Sequence, residues 1–203
     1  MLNDTRQYTS DDAHSAALDE AISALLAGKV VVFPTDTVYG LGVAVATAKD
    51  CSQLYEIKRR PDSKPVAWLV GSIGDISRYG ADVPDWAYDL ARAHWPGALT
   101  LIVRASDAVP NAFQSGDGSI GLRMPASDIA LGLIAACGCP LATTSANLSG
   151  LTAPAAFEEL EDAIVCSAAA VVKGTVSSSG IASTVVDCTG KGPRVLRQGD
   201  VHI

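Results

Sequence analysis

The stretch FPTDTVYGLG, residues 33–42, decides the fold, because an apolar run changes there into small polar groups and glycines. Residues 30–33 are typical of a short buried strand, and Pro34 ends it because proline has no N–H to donate. Open α/β sheets bind ligands where strands end in such polar groups. The stretch is equally consistent with a ligand site and with a plain turn between two hairpin strands.

The composition predicts one globular domain with a sizeable core. The chain has 203 residues, of which 48% are apolar and 18% charged, and its formal net charge is −7 with a pI near 4.8. An acidic chain disfavours non-specific nucleic-acid binding, so any polyanion needs a local basic patch. The five scattered cysteines predict reduced, mostly buried thiols. The lack of a signal peptide, a long apolar run or a lipidation motif predicts a cytoplasmic protein without membrane contact.

Helical and extended patterns alternate along the chain, which predicts an α/β fold with a mixed sheet. Helices are predicted from Ser10 or Asp11 to before Gly28, from Thr47 through Ile57, from Pro84 to near His94, from Ser127 to before Gly138, and over about 154–165. Strands are predicted at 30–33, 43–45, 99–103, 120–123 and 141–144, with apolar runs at 66–70 and 168–172 and two strands within 183–199.

Three further features place polar groups beside apolar segments. KRRPDSK, residues 58–64, puts four cations within seven residues, which suits either an anion or a solvated helix end. Arg123 ends an apolar strand and forms either a structural ion pair or a fork for carboxylate or phosphate. The polar groups of TTSAN, residues 143–147, bind a ligand or cap a turn. This repetition favours one polar, anion-binding pocket.

Six stretches, in this order and spacing, resemble the YrdC/Sua5 family, whose members make threonylcarbamoyl-adenylate for the N6-threonylcarbamoyladenosine (t6A) modification of tRNA. They are FPTDTVYGLG, KRRPDSKPV, HWPGALTLIV, GLRMP, ATTSANLSG, and STVVD with VLRQG. The resemblance covers about residues 15–200 and implies the short TsaC type, a single domain over residues 1–203 without the C-terminal extension of longer members. It also implies a twisted, open mixed sheet with flanking helices and a deep basic cleft.

The resemblance implies roles for individual side chains. Threonine is held at positions that match Thr35, Arg123, Thr143 and Ser183, and Arg123 suits its carboxylate. The nucleotide is contacted at positions that match Lys58, Ser119, Ser145, Asn147 and Arg197. Arg60 completes the K-x-R signature and is expected to act with Lys58 in catalysis. One departure is Leu69, which stands where many long-form members carry a histidine.

The implied reaction joins L-threonine, bicarbonate or CO2, and ATP to give threonylcarbamoyl-AMP and pyrophosphate. Nucleotidyl transfer needs mainly positioning and charge neutralisation, for which Lys58, Arg60 and Arg197 are suited. Mg²⁺ is expected to arrive with ATP, held largely by the phosphates. The sequence contains no G-x-x-x-x-G-K-[ST] loop and no Cys/His cluster, so no metal site in the protein is predicted.

Two alternatives to the synthase stay open. The same fold and cleft suit a non-catalytic double-stranded RNA-binding or ribosome-assembly module, and a YciO-like paralogue would use another acceptor. Contacts with tRNA or RNA at the cleft, and with downstream t6A transferase proteins, are further expectations from the resemblance. The net charge of −7 and the hydroxyl clusters favour the enzyme. RNA binding would depend steeply on salt, whereas the enzyme would need all three substrates together.

Overall fold

A computed structural model describes residues 10–59, 66–174 and 179–203 of the chain. Its helices are α1 Ser10–Leu26, α2 Ser52–Lys58, α3 Asp75–Tyr79, α4 Asp85–His94, α5 Asp128–Cys137 and α6 Asp162–Ser167. Its strands are β1 Val31–Phe33, β2 Gly40–Ala44, β3 Ala67–Leu69, β4 Gly80–Ala81, β5 Leu99–Ala105, β6 Ser119–Arg123, β7 Leu141–Ser145, β8 Ala170–Val171, β9 Thr184–Asp187 and β10 Arg194–Arg197.

The ten strands in the described ranges form one mixed sheet, which confirms the predicted fold class. Their order is β10-β9-β5-β6-β3-β7-β2-β1-β8, and β4 pairs with the C-terminal end of β5. The pairs β1/β8, β3/β6 and β5/β9 are parallel, and the remaining pairs are antiparallel. The sheet is mixed because βα crossovers make the parallel pairs and short connections make hairpins such as β1–β2.

The two faces of the sheet have different partners because side chains alternate along each strand. In β5, Leu99, Leu101 and Val103 point into the larger apolar cluster, which also contains side chains of α2, α3 and α4. The opposite face packs α1 and α5 against β1 and β8 in a smaller cluster. Burying each large apolar side chain on these faces stabilises the folded state by roughly 1.5–3 kcal/mol. The rest of that second face, formed largely by β5, β6 and β9, holds the polar cavity described below.

The helix ends agree with the sequence in part. Ser127 caps α5 by accepting a hydrogen bond from the Ala130 N–H, and Gly138 ends it in the left-handed conformation at φ 64°, as predicted. Thr47 does not begin α2, which starts at Ser52. Its hydroxyl instead donates to the Leu25 carbonyl at 2.6 Å and ties this loop to α1.

Two other segments differ from the prediction, and short polar contacts shape both of them. Residues 154–165 do not form one helix. The Glu159 carboxylate accepts a hydrogen bond from the Ala155 N–H at 2.7 Å, and this contact shapes a single tight turn before α6. The sequence analysis did not predict α3, whose first residue Asp75 accepts the Ser72 N–H at 2.9 Å.

Among the helices of the described ranges, none combines the length and apolarity needed to cross a membrane.

Replacing Gly42 by alanine is expected to cost about 1–3 kcal/mol of unfolding free energy because the site is overpacked. Gly42 lies inside β2, and an added Cβ would lie 2.8 Å from the Thr143 hydroxyl and 3.0 Å from the Phe33 ring. Urea denaturation would measure the loss. Gly132→Ala in α5 is the matched control, since a Cβ there meets nothing within 4 Å and should add about 0.5–1 kcal/mol. Equal effects at both sites would contradict the close packing.

Candidate active site

The stretch FPTDTVYGLG contains a hairpin loop that also forms a wall of the cavity. Phe33 of β1 lies opposite Gly40 of β2 in an antiparallel pair, so residues 34–39 form the connection. The Thr35 hydroxyl donates to the Val38 carbonyl at 2.6 Å and accepts the Thr37 N–H at 3.3 Å. These bonds fix the turn, as hydroxyls commonly do. Both Thr35 and Thr37 also line the cavity, so the two interpretations of this stretch are compatible.

The cavity has a volume of about 330 Å³ and lies on the face of the sheet, not only at the ends of its strands. Its floor uses alternate residues of neighbouring strands, which point to the same side. Small residues such as Ala67 and Gly121 leave room above the backbone. The floor includes Ala67 and Leu69 of β3, Thr100 and Ile102 of β5, Gly121 and Arg123 of β6, and Thr143 and Ser145 of β7.

Arg123 lies at the centre of this site and is only 7% exposed. Its Nε donates to the Gly97 carbonyl at 3.0 Å, Nη1 donates to the Thr37 hydroxyl at 2.9 Å, and Nη2 donates to the Asp36 carboxylate at 2.6 Å. Burial lowers the pKa of Arg123, and the Asp36 carboxylate opposes that effect. A guanidinium has five N–H donors, so two are left for a ligand. Arg123 therefore forms a structural ion pair and also lines the cavity.

Arg197 of β10 brings a second guanidinium to the cavity. Its Nε donates to the Ser183 carbonyl at 3.0 Å and its Nη2 to the Ser183 hydroxyl at 3.2 Å. That hydroxyl lies 2.8 Å from the Thr100 hydroxyl, which links β5 to the same network. Burial lowers the pKa of Arg197, and repulsion from the Arg123 charge lowers it further. Two cations that repel each other across a cavity favour an anionic ligand.

Lys58 lies behind the cavity wall and is 2% exposed. Its ammonium donates to the Ser145 carbonyl, and to the carbonyl and Oδ1 of Asn147 at 2.6 and 3.1 Å. The Asn147 amide in turn donates to the Leu151 carbonyl at 2.7 Å. Ser145 lines the cavity, whereas Lys58 and Asn147 are outside its lining. Lys58 therefore fixes the turn that presents Ser145.

The structure brings together most of the side chains that the sequence singled out. Those that line the cavity are Thr35, Arg123, Thr143, Ser145, Ser183 and Arg197. Leu69, at the position of the departure from the family, lines it too. Ser119 lies apart at the start of β6, where its hydroxyl donates to Asp117 at 2.6 Å. Arg60 lies outside the described residues.

Sequence reasoning assigned no individual role to three residues of the site. Thr37 and Thr100 line the cavity, and Asp36 binds Arg123 directly behind it. For Thr100 the available signal was its position within the apolar run ALTLIV, residues 98–103, since a hydroxyl on a buried strand needs a partner. Asp36 stands in the opening stretch, but its partner is far along the chain.

Two arginines and a row of hydroxyls on one face of a mixed sheet define an α/β protein with a polar cavity whose lining suits an anion. Residues 23–199 match the family model Sua5/YciO/YrdC, whose description is telomere recombination, and the chain belongs to this family. A Mycobacterium tuberculosis protein named putative threonylcarbamoyl-AMP synthase is 36% identical, over 98% of this chain and 92% of its own length.

Two solved structures share this fold. Sua5 of Pyrococcus abyssi complexed with L-threonine is 32% identical, with a TM-score of 0.83 over 92% of this chain. The present chain covers 54% of that protein, so it spans about half the length of the archaeal relative. YciO of Escherichia coli is 26% identical, with a TM-score of 0.82 over 92% of this chain and 90% of its own.

Proposed function

We propose that the protein is a threonylcarbamoyl-AMP synthase, which joins L-threonine, bicarbonate and ATP and releases pyrophosphate. The observation that carries this proposal is the meeting of Arg123 and Arg197 with the hydroxyls of Thr35, Thr143 and Ser183 at one cavity. An amino acid and a nucleotide bring a carboxylate and phosphates, which are the anions that guanidinium groups bind best. The name of the mycobacterial relative and the threonine complex of the archaeal one support the same assignment.

The half of the cavity around Arg123 suits threonine. Two guanidinium N–H groups are left for its carboxylate after the bonds to Gly97, Thr37 and Asp36. The hydroxyls of Thr35 and Thr143 line the same cavity and offer partners for the amine and hydroxyl of the amino acid. The threonine amine takes up CO2 as a carbamate, and a carbamate oxygen then attacks the α-phosphorus of ATP.

The half around Arg197 and Ser145 suits the phosphates. Arg197 is partly exposed, and the turn that Lys58 holds presents Ser145 to the cavity. Negative charge develops on the phosphate oxygens as pyrophosphate leaves, and fixed cations stabilise it without reorganisation. We propose that Arg60, which follows Lys58 by two positions in the K-x-R signature, acts with it in catalysis.

Mg²⁺ is proposed to enter with ATP. The Asp36 carboxylate beside the cavity is held by the Arg123 guanidinium at 2.6 Å, so it is poorly placed to take a cation. Mg²⁺ binds readily through substrate phosphates and water, with few protein ligands. We further expect the product to pass to tRNA through partner proteins, in the cytoplasm.

The expected result with purified protein is pyrophosphate release when ATP, Mg²⁺, bicarbonate and L-threonine are all present. Omitting threonine should remove most of the release, because the carbamate is the attacking group. A coupled phosphate assay with pyrophosphatase would measure it. Release that is independent of threonine, from folded protein, would contradict the synthase.

A YciO-like enzyme with another acceptor is the second candidate, because E. coli YciO matches 92% of this chain. The same assay separates the two. Pyrophosphate release with another amine or amino acid, and none with threonine, would favour a different acceptor. L-serine is the sharpest comparison, because it lacks only one methyl group of threonine. A synthase should therefore favour threonine over serine by only about 1–3 kcal/mol.

A further inference from the structure

Asp36 forms a buried ion pair with Arg123 at the cavity, and the proposed chemistry gives the Asp36 carboxylate no role. Its carboxylate accepts from Arg123 Nη2 at 2.6 Å, and the two side chains are 11% and 8% exposed. Arg123 also lines the cavity. The cation that faces the ligand on this side is therefore already matched by a negative charge.

Arg197 differs from Arg123 in the charge of its partners. Its hydrogen bonds within the described ranges go to the carbonyl and hydroxyl of Ser183, which are neutral acceptors. Its positive charge is therefore not cancelled locally, although both arginines are held in place by hydrogen bonds. The cavity thus has one half with a neutralised guanidinium and one half with a full positive charge.

This difference matters because the two proposed substrates carry different anions. A carboxylate has a single charge and accepts two parallel N–H bonds, so an ion-paired guanidinium can still recognise it by geometry. A triphosphate or pyrophosphate has several charges and is drawn mainly by net positive potential. An unpaired cation at Arg123 would attract phosphate as strongly as Arg197 does.

We propose that Asp36 is a specificity-determining residue that keeps phosphate groups out of the amino-acid half of the cavity. It does so by neutralising Arg123 while leaving two N–H groups directed by the bonds to Gly97 and Thr37. The inference rests on the proposed function, in which Arg123 takes the carboxylate of threonine. Selectivity of this kind arises from weakening the wrong complex.

The test is a calorimetric competition between L-threonine and pyrophosphate in the wild type and in Asp36→Asn. Asparagine keeps an oxygen that accepts from Arg123 but removes the charge. In the wild type, saturating pyrophosphate should change the apparent threonine Kd by less than about threefold. In Asp36→Asn it should raise that Kd by about tenfold or more, because pyrophosphate now occupies the Arg123 half.

Two variants separate charge from packing. Asp89→Asn makes the same change of charge on α4, where the side chain is 72% exposed, and should behave as the wild type. Asp36→Glu keeps the charge, so it should resist pyrophosphate competition even if its own threonine Kd is altered by the longer side chain. Competition in Asp36→Glu equal to that in Asp36→Asn would overturn the proposal.

A threonine Kd that stays within about threefold in Asp36→Asn, with pyrophosphate bound, would also overturn it. This test of Asp36 can fail independently of the test of the proposed function. Failure of the wild type to bind threonine would contradict the synthase. The pyrophosphate affinity of Asp36→Asn relative to wild type would then still test Asp36, with an increase of about tenfold expected and an unchanged value counting against it.

Discussion

Arg123→Ala is expected to weaken threonine binding by about 10- to 150-fold, since a charge-assisted hydrogen bond contributes about 1.5–3 kcal/mol. It is also expected to destabilise the fold. Removing one partner of a buried ion pair leaves the Asp36 carboxylate without its cation, which costs roughly 3–5 kcal/mol. Both side chains of the pair are buried, and Arg123 Nη2 lies 2.6 Å from Asp36 Oδ1.

Separate titrations would measure it, with threonine varied at saturating ATP and ATP varied at saturating threonine, after a thermal melt confirms folding. Arg92→Ala is the matched control, because its pair with Asp89 is 64% and 72% exposed and should contribute less than about 1 kcal/mol. An unchanged threonine dependence together with a raised ATP constant would move Arg123 to the nucleotide half.

Lys58→Ala is expected to reduce turnover by about 100-fold, because the turn that presents Ser145 to the cavity loses the ammonium that holds it and a small misplacement of a reacting group can cost that much. The structure gives a second reason for a large effect. The ammonium satisfies the carbonyls of Ser145 and Asn147, and each buried acceptor left without a donor costs about 1–3 kcal/mol. The Ser145 turn should therefore loosen as turnover falls.

The measurement is the turnover number at saturating substrates, well below the melting temperature of the variant. Lys58→Met keeps the apolar stem and isolates the loss of the charged end. Lys29→Ala, at an exposed lysine, should leave both activity and stability near those of the wild type. Full turnover in a destabilised Lys58→Ala protein would make Lys58 a purely structural residue.

The sequence predicts the elements of this fold better than the contacts among them. Local signals such as the Ser127 cap and Gly138 stop of α5 act within a few residues, so they can be recognised without a structure. The bond from Thr47 to Leu25 spans 22 positions and redirects a residue that otherwise suits a helix start. Long-range partners decide such cases, and the sequence alone does not specify them.

The candidate site shows the same division. Hydroxyls and cations beside strands indicate a polar pocket, and the structure gathers six of the nominated side chains around one cavity. The pair between Asp36 and Arg123 joins residues 87 positions apart, so no local sequence pattern indicates it. The burial of Lys58 is equally hidden, because a lysine at a helix end is usually solvated. The assigned roles, and the extent of one domain over residues 1–203, stay predictions.

The position of β10 at the edge of the sheet gives the two arginines different freedom of movement. Arg123 is anchored on β6, which has strands on both sides, whereas Arg197 belongs to a strand with β9 as its neighbour in the sheet order. Edge strands open locally at lower free energy than central ones. Local opening of β10 would therefore change the Arg197 half of the cavity while the Arg123 half keeps its shape.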